Sequence, residues 1–513
     1  MTHIAEKNKR IAKNTLLLYF RMLFTMTVSL YTSRVVLNTL GVEDFGIYNV
    51  VGGVVAMFAI ISSSLSAAIG RFITFELGRN NLGRLKVIFS SAVTIQIILA
   101  LVISLFSELI GVWFLNNKMN IPVERIVAAN WVLQCSILTF VVNLISVPYN
   151  AVIIAHEHMK AFAYVSILEV SLKLAIVFLL CISSFDKLTT YAVLLLLVSI
   201  IIRLVYGFYC KKKFEECTCY FYYNKEILTE MLGFAGWNFI GASSAVLRDQ
   251  GVNIVINIFC GPVVNAARAI SFQVNTAIQG FVTNFMTALN PQITKSYASG
   301  DRGYMMTLLY QGSRLAFYML FFLSLPVIIE ADSILLIWLK IVPEHSVNFV
   351  RLVLIFAMSE SISGPLITAM LATGRIRNYQ IFVGGLQMLN FPISYFLLRW
   401  GGFPEITIIV AIIISQCCLI ARLWMLRGMI GLSSKLYLKK VYLNILVVSI
   451  LSAIFPVFIY SQMPVGYVRF IVVIGTSFVC SILAIFYVGC SHYERLFVMQ
   501  KIKEIKNKLR IRK

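Results

Sequence analysis

The sequence predicts an all-α integral membrane protein with about fourteen transmembrane helices, arranged as two parallel six-helix lobes plus two C-terminal helices. Of its 513 residues, 59% are hydrophobic and only 13% are charged, and the mean hydropathy is +0.85. Soluble proteins are far less apolar. Apolar runs of about 20 residues alternate with short polar connectors along the whole chain. Too little polar sequence is left for a large aqueous domain, which excludes large soluble catalytic modules.

Each predicted span is an apolar window bounded by charged residues or by Gly and Pro. The spans are 14–34, 45–68, 87–110, 126–147, 161–182, 188–209, 231–256, 263–288, 307–329, 348–371, 379–398, 404–426, 441–460 and 467–489. They divide the chain into an N-lobe (1–210, helices 1–6), a cytoplasmic linker (211–230), a C-lobe (231–430, helices 7–12), two extra helices (431–490) and a basic cytoplasmic tail (491–513).

The distribution of charge predicts the orientation of these spans. The chain has 44 Lys and Arg against 22 Asp and Glu, a net charge of +22. In a soluble protein this excess would suggest nucleic acid, but here the bases lie in alternate short connectors, such as those with Arg79, Lys212 and Arg375. The intervening connectors carry acids, such as Asp186 and Glu344. Since positive connectors stay in the cytoplasm, both termini are expected there and no nucleic-acid partner is expected.

The basic C-terminal tail and the cysteines are two peripheral features with a bearing on function. The tail from Phe497 to Lys513 places apolar residues at helical spacing between bases, so it is either an interfacial helix on anionic lipid or a solvated basic tail. Most of the ten cysteines lie in apolar stretches, where a thiol packs as a small hydrophobe. The polar cluster of Cys210, Cys217 and Cys219 has no second ligand pair at zinc-like spacing. We expect no metal site, cofactor or disulfide framework.

The two halves of the chain resemble each other at a shift of about 220 residues. The run from Arg34 to Gly41 aligns with the run from Ile254 to Gly261. Ile145-Ser-Val-Pro148 aligns with Ile362-Ser-Gly-Pro365, and each is followed seven residues later by alanine. Because the shift spans an even number of helices, the repeats share one orientation and are related by an axis along the membrane normal.

Polar residues within the predicted spans point to the functional region, since an intramembrane charge is costly unless it faces a cavity or a partner. On a helical projection, Asn14, Arg21, Thr25 and Thr32 fall within about 40° of one another. In predicted span 8, Asn265, Arg268, Asn275, Gln279, Thr283 and Asn290 lie in an arc of roughly 80°. Such a stripe is either a polar seam between two helices or the lining of a water-filled path.

Two further arginines extend this pattern. Arg248 and Asp249 share one sector of predicted span 7, at the depth of Arg268, so Asp249 is the expected salt-bridge partner of Arg268. One more arginine than acid then remains, and a cationic lumen selects an anionic substrate. Arg34 either joins the lumen or extends to the membrane interface. The candidate substrate-binding residues are Arg21, Arg248, Arg268, Asn275, Gln279 and Asn14, with Asp249 and Arg34 as candidate salt-bridge or coupling residues.

No Gly-rich phosphate loop ending in Gly-Lys-Ser/Thr occurs, so an ATPase motor is not expected. A membrane-embedded glycan polymerase or ligase would be expected to carry a sizeable outer loop with catalytic groups. The longest outer connector, about 330–347, has no such constellation.

Two stretches carry a family resemblance. One begins at Lys13-Asn14-Thr15 and continues through Ser33-Arg34 to the run from Leu40 to Tyr48; the other runs from Asn265 through Asn290-Pro291 to Gly300-Asp301. Together they resemble the polysaccharide transporters of the multidrug/oligosaccharidyl-lipid/polysaccharide exporter superfamily, the O-antigen and capsule flippases of bacterial inner membranes. The resemblance implies a V-shaped pair of lobes and a cationic lumen, which maps by position onto Arg21, Arg248 and Arg268.

The function implied is that of a transporter rather than an enzyme. The chain would turn an undecaprenyl-pyrophosphate-linked oligosaccharide across the membrane by alternating access, for O-antigen or capsule biosynthesis. Its expected partners are this substrate, membrane lipids and the polysaccharide assembly machinery. Two alternatives stay open: a cation-coupled multidrug exporter of the same superfamily, which would need acidic lumen groups for cationic drugs, and a membrane-embedded glycan polymerase or ligase.

Overall fold

The structure, a computed structural model, describes residues 2–56, 59–117, 121–217, 225–339, 342–491, 494–496 and 499. Within these ranges the regular structure is entirely helical, which confirms the predicted fold class. The α-helices are α1 Thr2–Ala56, α2 Ala59–Gly78, α3 Leu82–Phe106, α4 Trp113–Asn117, α5 Ile126–Ala155, α6 Met159–Ile182, α7 Lys187–Lys213, α8 Lys225–Ala298, α9 Arg302–Ile329, α10 Ala331–Leu339, α11 Ser346–Thr373, α12 Arg377–Met388, α13 Asn390–Arg399, α14 Ile406–Ile430, α15 Ser434–Tyr437, α16 Leu443–Gln462 and α17 Tyr467–Ala484.

Ten helical segments of the described chain are long and apolar enough to cross a membrane, from Leu82–Asn117 to Tyr467–Gly489. Each coincides with one predicted span. The other four predicted spans, 14–34, 45–68, 231–256 and 263–288, fall on α1, α2 and α8.

Two of the long helices bend sharply at a glycine. Gly41 within α1 has φ 83° and ψ 168°, and Gly261 within α8 has φ 81° and ψ 178°. This region of φ and ψ is essentially restricted to glycine, because a Cβ makes it costly. Each bend therefore converts one continuous helix into two consecutive ones, at the boundary between two predicted spans.

The backbone repeats at the same shift as the sequence. Gly41 and Gly261 are the aligned glycines of the predicted repeat. Asn80 and Gly300, also 220 residues apart, both have positive φ, at 55° and 78°. Pro148 and Pro365 both lie inside helices, α5 and α11. The paired left-handed positions show that the halves share local conformation as well as sequence pattern, which strengthens the inference of a repeat.

The described chain forms two compact units. Unit 1 comprises Met1–Ser243 with Thr287–Asp301 and Leu371–Gln380, and unit 2 comprises Ser244–Met286, Arg302–Met370 and Ile381–Lys513. In unit 1, an apolar cluster that includes Val132, Leu133 and Leu188 joins α5 to α7. The proposed division into N-lobe, linker, C-lobe, extra helices and tail stays a prediction, and nearly all of the predicted tail helix lies outside the described residues.

Unit 2 has its own core and a buried ion pair. Val252, Phe349, Leu398 and Ile408 belong to one apolar cluster drawn from α8, α11, α13 and α14. The α17 residue Arg469 pairs with Glu330 at 3.0 Å between Nε and Oε1, and the two side chains are 7% and 0% exposed. Removal of either partner would strand a buried charge. This pair therefore fixes the last predicted span against the end of α9.

Candidate functional site

The polar stripe of α8 from Asn265 to Thr283 lies in unit 2, after the bend at Gly261. One neighbouring face of the helix packs through Ile270, Val274 and Ile278 against a cluster formed by α10 and α11. Asn275 and Gln279 each follow one of these apolar residues, so they are turned about 100° away from it. The apolar face thus anchors the helix within unit 2 and fixes the direction of the amides.

Arg268, the arginine of this stripe, is buried, with 5% of the residue exposed. Its Nη1 donates to Asn253 Oδ1, and its Nη2 donates to the carbonyl oxygen of Asp249 at 3.4 Å. Its guanidinium carbon lies 4.4 Å from the centre of the Phe272 ring. Both acceptors precede the Gly261 bend, so the arginine links the two arms of α8. Its Nε is buried with no hydrogen-bond partner among the described residues.

The predicted salt bridge between Asp249 and Arg268 is wrong. The Asp249 carboxylate is instead held by its neighbour Arg248, from Nε at 2.9 Å and from Nη2 at 3.3 Å. The flexible Arg248 side chain folds back along its own helix and lies over Phe356, 5.2 Å from the ring centre. The depth in the membrane predicted from the sequence is similar for Arg248, Asp249 and Arg268, so depth alone could not show which arginine holds the carboxylate. Arg268 donates to the uncharged backbone carbonyl of Asp249 and not to its carboxylate.

Two amides of the stripe also contain buried atoms without partners. Asn275 Oδ1 and Gln279 Oε1 have no hydrogen-bond partner among the described residues. Buried polar atoms in proteins are nearly always paired, so an unpaired set calls for water or a ligand. Together with Arg268 Nε, these atoms give one side of α8 an unused hydrogen-bonding capacity. The stripe therefore has the chemistry to receive a polar, anionic molecule.

The unit 1 residues of the predicted site lie on α1. Arg21 Nη1 is 3.4 Å from Ser166 Oγ of α6, and its guanidinium carbon is 4.6 Å from the centre of the Phe162 ring. Asn14 is buried at 8% exposure, and its Nδ2 has no hydrogen-bond partner among the described residues. The side chain of Arg34 lies outside the described residues.

Sequence reasoning missed several residues that shape these sites. Asn253 lies eight residues before Gly261 and Arg268 lies seven after it, so pairing across a hairpin-like bend could have identified Asn253. Phe272 and Phe356, which lie beside the arginines, gave no signal among so many apolar residues. No group of three His, Cys, Asp or Glu in the described ranges is arranged to hold a metal ion.

Solved structures establish the class of the fold. A MATE transporter in its bent conformation has a TM-score of 0.73 with this chain at 13% identity, covering 84% of this chain and 97% of that one. MATE in complex with MaD3S gives 0.70 at 13% identity, covering 82% and 97%. A MOP superfamily transporter from Pyrococcus furiosus, described as having a binding pocket of reverse polarity that suggests a different function, gives 0.66 at 14% identity, covering 82% and 96%. The fold is therefore that of the MATE transporters of the MOP superfamily.

The family follows from sequence. A family model described as "Polysaccharide biosynthesis protein" matches residues 11–297, more than half of the chain. The chain belongs to this polysaccharide biosynthesis protein family. No curated protein sequence matches the chain. Family and fold are thus those of multi-pass membrane transporters.

Proposed function

We propose that this protein moves a lipid-linked oligosaccharide, joined to undecaprenyl through pyrophosphate, from the cytoplasmic to the periplasmic leaflet of a bacterial inner membrane by alternating access. Both termini would then be cytoplasmic, in line with the segregated connector charges. The observation that carries the proposal is the α8 stripe, where a buried arginine and two amides have unpaired atoms on one side of the helix. Membership of the polysaccharide biosynthesis family supports a glycan substrate.

The chemistry of the stripe suits a glycosyl diphosphate. A guanidinium binds phosphate through two parallel hydrogen bonds and stays charged at any accessible pH. Arg248 is paired with Asp249 and also lies near Glu360, whereas Arg268 donates to neutral acceptors and makes no ion pair among the described residues, so the unneutralised positive charge is that of Arg268. Sugar hydroxyls can both donate and accept, which matches the unpaired amide atoms of Asn275 and Gln279.

A multidrug exporter is the second candidate, and the likeness to MATE transporters favours it. A cationic drug would need unneutralised acid at its binding site. In unit 2 Asp249 is paired with Arg248, and Glu360 accepts from Ser415 Oγ at 2.8 Å. Arg268 makes no ion pair among the described residues, and its charge supports an anionic substrate.

The deciding experiment deletes the gene and follows the lipid-linked oligosaccharide. We expect full-length oligosaccharide to accumulate where a membrane-impermeant periodate reagent cannot oxidise it in spheroplasts, and wild-type protein to restore oxidation. Efflux of a cationic dye, measured in the same strains, should be unchanged. Normal oxidation with increased dye retention would refute the proposal in favour of a drug exporter. Oxidised but unpolymerised glycan would instead indicate a polymerase or ligase.

A further inference from the structure

A second cationic pocket lies in unit 1, at the predicted cytoplasmic end of the helices. It has a volume of about 510 Å³, within the range of small-molecule sites. Its walls come from the start of α1, the turn between α5 and α6, and the end of α7. The lining includes three bases, Arg10, Lys13 and Lys160, and one acid, Glu157, together with Asn14 and His158. None of the substrate-binding arginines of the predicted site lines it.

Three cations face this pocket, and its one acid is already engaged. Lys13, Lys160 and Arg10 are exposed, and Arg10 Nη1 lies 3.6 Å from Glu157 Oε2. Glu157, which is buried, accepts from Gln292 Nε2 at 2.6 Å through one carboxylate oxygen and from Lys295 Nζ at 2.7 Å through the other. The lining thus has three bases against one acid, and that acid is paired with Arg10 and Lys295 rather than with Lys13 or Lys160. The pocket therefore has a net positive charge.

The neighbouring histidine responds to this field. Burial lowers the pKa of His158, and the positive charges of His156, Lys213 and Arg10 lower it further. His158 is held through Nδ1, 2.9 Å from the Tyr209 hydroxyl.

Two further features of the pocket, the side chain of Asn14 and the N-terminus of α6, provide hydrogen-bond donors for an anion. Asn14 is more than nine-tenths buried, lines the pocket, and has an Nδ2 donor with no partner among the described residues. The first turn of the 24-residue helix α6, through Met159, Lys160 and Ala161, also lines it. Helix N-termini bind anions, because their first N–H groups are unpaired and the helix dipole is positive there. The side chain that precedes α6, His158, makes no capping hydrogen bond.

We propose that this pocket binds a phosphate group, held by Lys13, Lys160 and Arg10 and by the amide of Asn14 at the N-terminus of α6. The occupant is a phosphate-bearing headgroup at the predicted cytoplasmic surface, either a prenyl diphosphate or an anionic phospholipid. This inference goes beyond the proposed function and does not depend on it, since it concerns binding whether or not the chain moves oligosaccharide.

The test measures the binding of inorganic pyrophosphate to the purified full-length protein in a neutral detergent, by calorimetry at low ionic strength. The double variant Lys13→Ala with Lys160→Ala should bind at least about tenfold more weakly, because it removes two exposed cations and no described structural contact. The matched control, Lys435→Ala with Lys439→Ala, removes two exposed lysines that do not line the pocket and should bind like the wild type. Equal affinity in all three proteins, or no binding to the wild type, would overturn the proposal.

A third variant tests the buried donor. Asn14→Asp preserves shape but replaces the Nδ2 donor with a carboxylate oxygen, so we expect pyrophosphate affinity to fall at least about tenfold while size-exclusion behaviour is kept. If this variant is poorly folded, the double lysine variant decides alone, since its side chains are exposed. Unchanged affinity in a well-folded Asn14→Asp protein would remove Asn14 from the site and contradict the arrangement proposed here.

Competition then identifies the source of the phosphate. Geranyl diphosphate and dihexanoyl phosphatidylglycerol are each added below their micellar concentration. Displacement of pyrophosphate by the first alone supports a prenyl diphosphate occupant, and displacement by the second alone supports a phospholipid. Displacement by both supports recognition of the shared phosphate. Failure of both would contradict a lipid headgroup as the occupant.

Discussion

Replacing Arg268 by alanine separates a binding role from a structural one. The side chain is 5% exposed and uses Nη1 and Nη2 within the protein, whereas Nε has no partner among the described residues. A phosphate that binds the Nε and Nη2 edge gains two charge-assisted hydrogen bonds, each worth about 1.5–3 kcal/mol. Their loss corresponds to at least about 3 kcal/mol, or on the order of 100-fold in affinity.

The stability of the same variant should change much less. Alanine loses the hydrogen bonds to Asn253 and to the Asp249 carbonyl, about 1.5–3 kcal/mol each. It also removes the cost of burying an arginine charge, which is several kcal/mol. Because these two contributions oppose each other, we expect abundance within about twofold of the wild type. Arg268→Lys keeps the charge but not the planar fork, so its activity should fall between those of the wild type and alanine.

The assay is transport of lipid-linked oligosaccharide per molecule of protein, in the deletion strain described above. Arg422→Ala is the matched control. Arg422 is a buried arginine of α14 in unit 2 whose Nη1 donates to Ser363 Oγ of α11 at 2.9 Å. It should lower abundance but not transport per molecule. If Arg268→Ala transports normally per molecule, or if both variants lose transport only in proportion to abundance, Arg268 does not bind the substrate.

Three further predictions test the fold and topology. Gly261→Ala should destabilise the protein by about 1–3 kcal/mol through backbone strain, because φ is 81° at this position and no atom lies within 4 Å of an added Cβ. Gly385→Ala is the control, since the position is equally uncrowded and has an ordinary φ, and it should leave the Tm unchanged. Equal effects of the two substitutions would show that backbone strain is not the cause. Glu157→Ala should cost about 3 kcal/mol, seen as a lower Tm, because it strands two donors to a buried carboxylate; an unchanged Tm would contradict this. In a cysteine-free background, a cysteine at Glu344 should react with an impermeant thiol reagent outside and one at Arg79 should not, whereas labelling of both would refute the topology.

Local pattern determined most of the fold. Apolar windows and charged connectors predicted the helices, because a membrane helix must satisfy its own backbone hydrogen bonds and bury no unpaired charge in lipid. The aligned glycines at 41 and 261 predicted a repeat, and the backbone at both has the same positive φ. The projection of α8 also predicted correctly that Arg268, Asn275 and Gln279 follow one side of the helix. These properties depend on residues close in sequence.

The tertiary structure decided which groups are paired. The sequence predicted that Asp249 pairs with Arg268, because it placed the two at the same depth, whereas in the folded protein the carboxylate is held by Arg248, which lies over Phe356. Likewise, the Glu157 carboxylate and its donors Gln292 and Lys295 are 135 and 138 residues apart, so no periodicity connects them. The helical pattern of a chain depends on neighbouring residues, whereas the neutralisation of a buried charge depends on which distant side chain the fold brings within about 3 Å. That distance is set by the packing of whole helices.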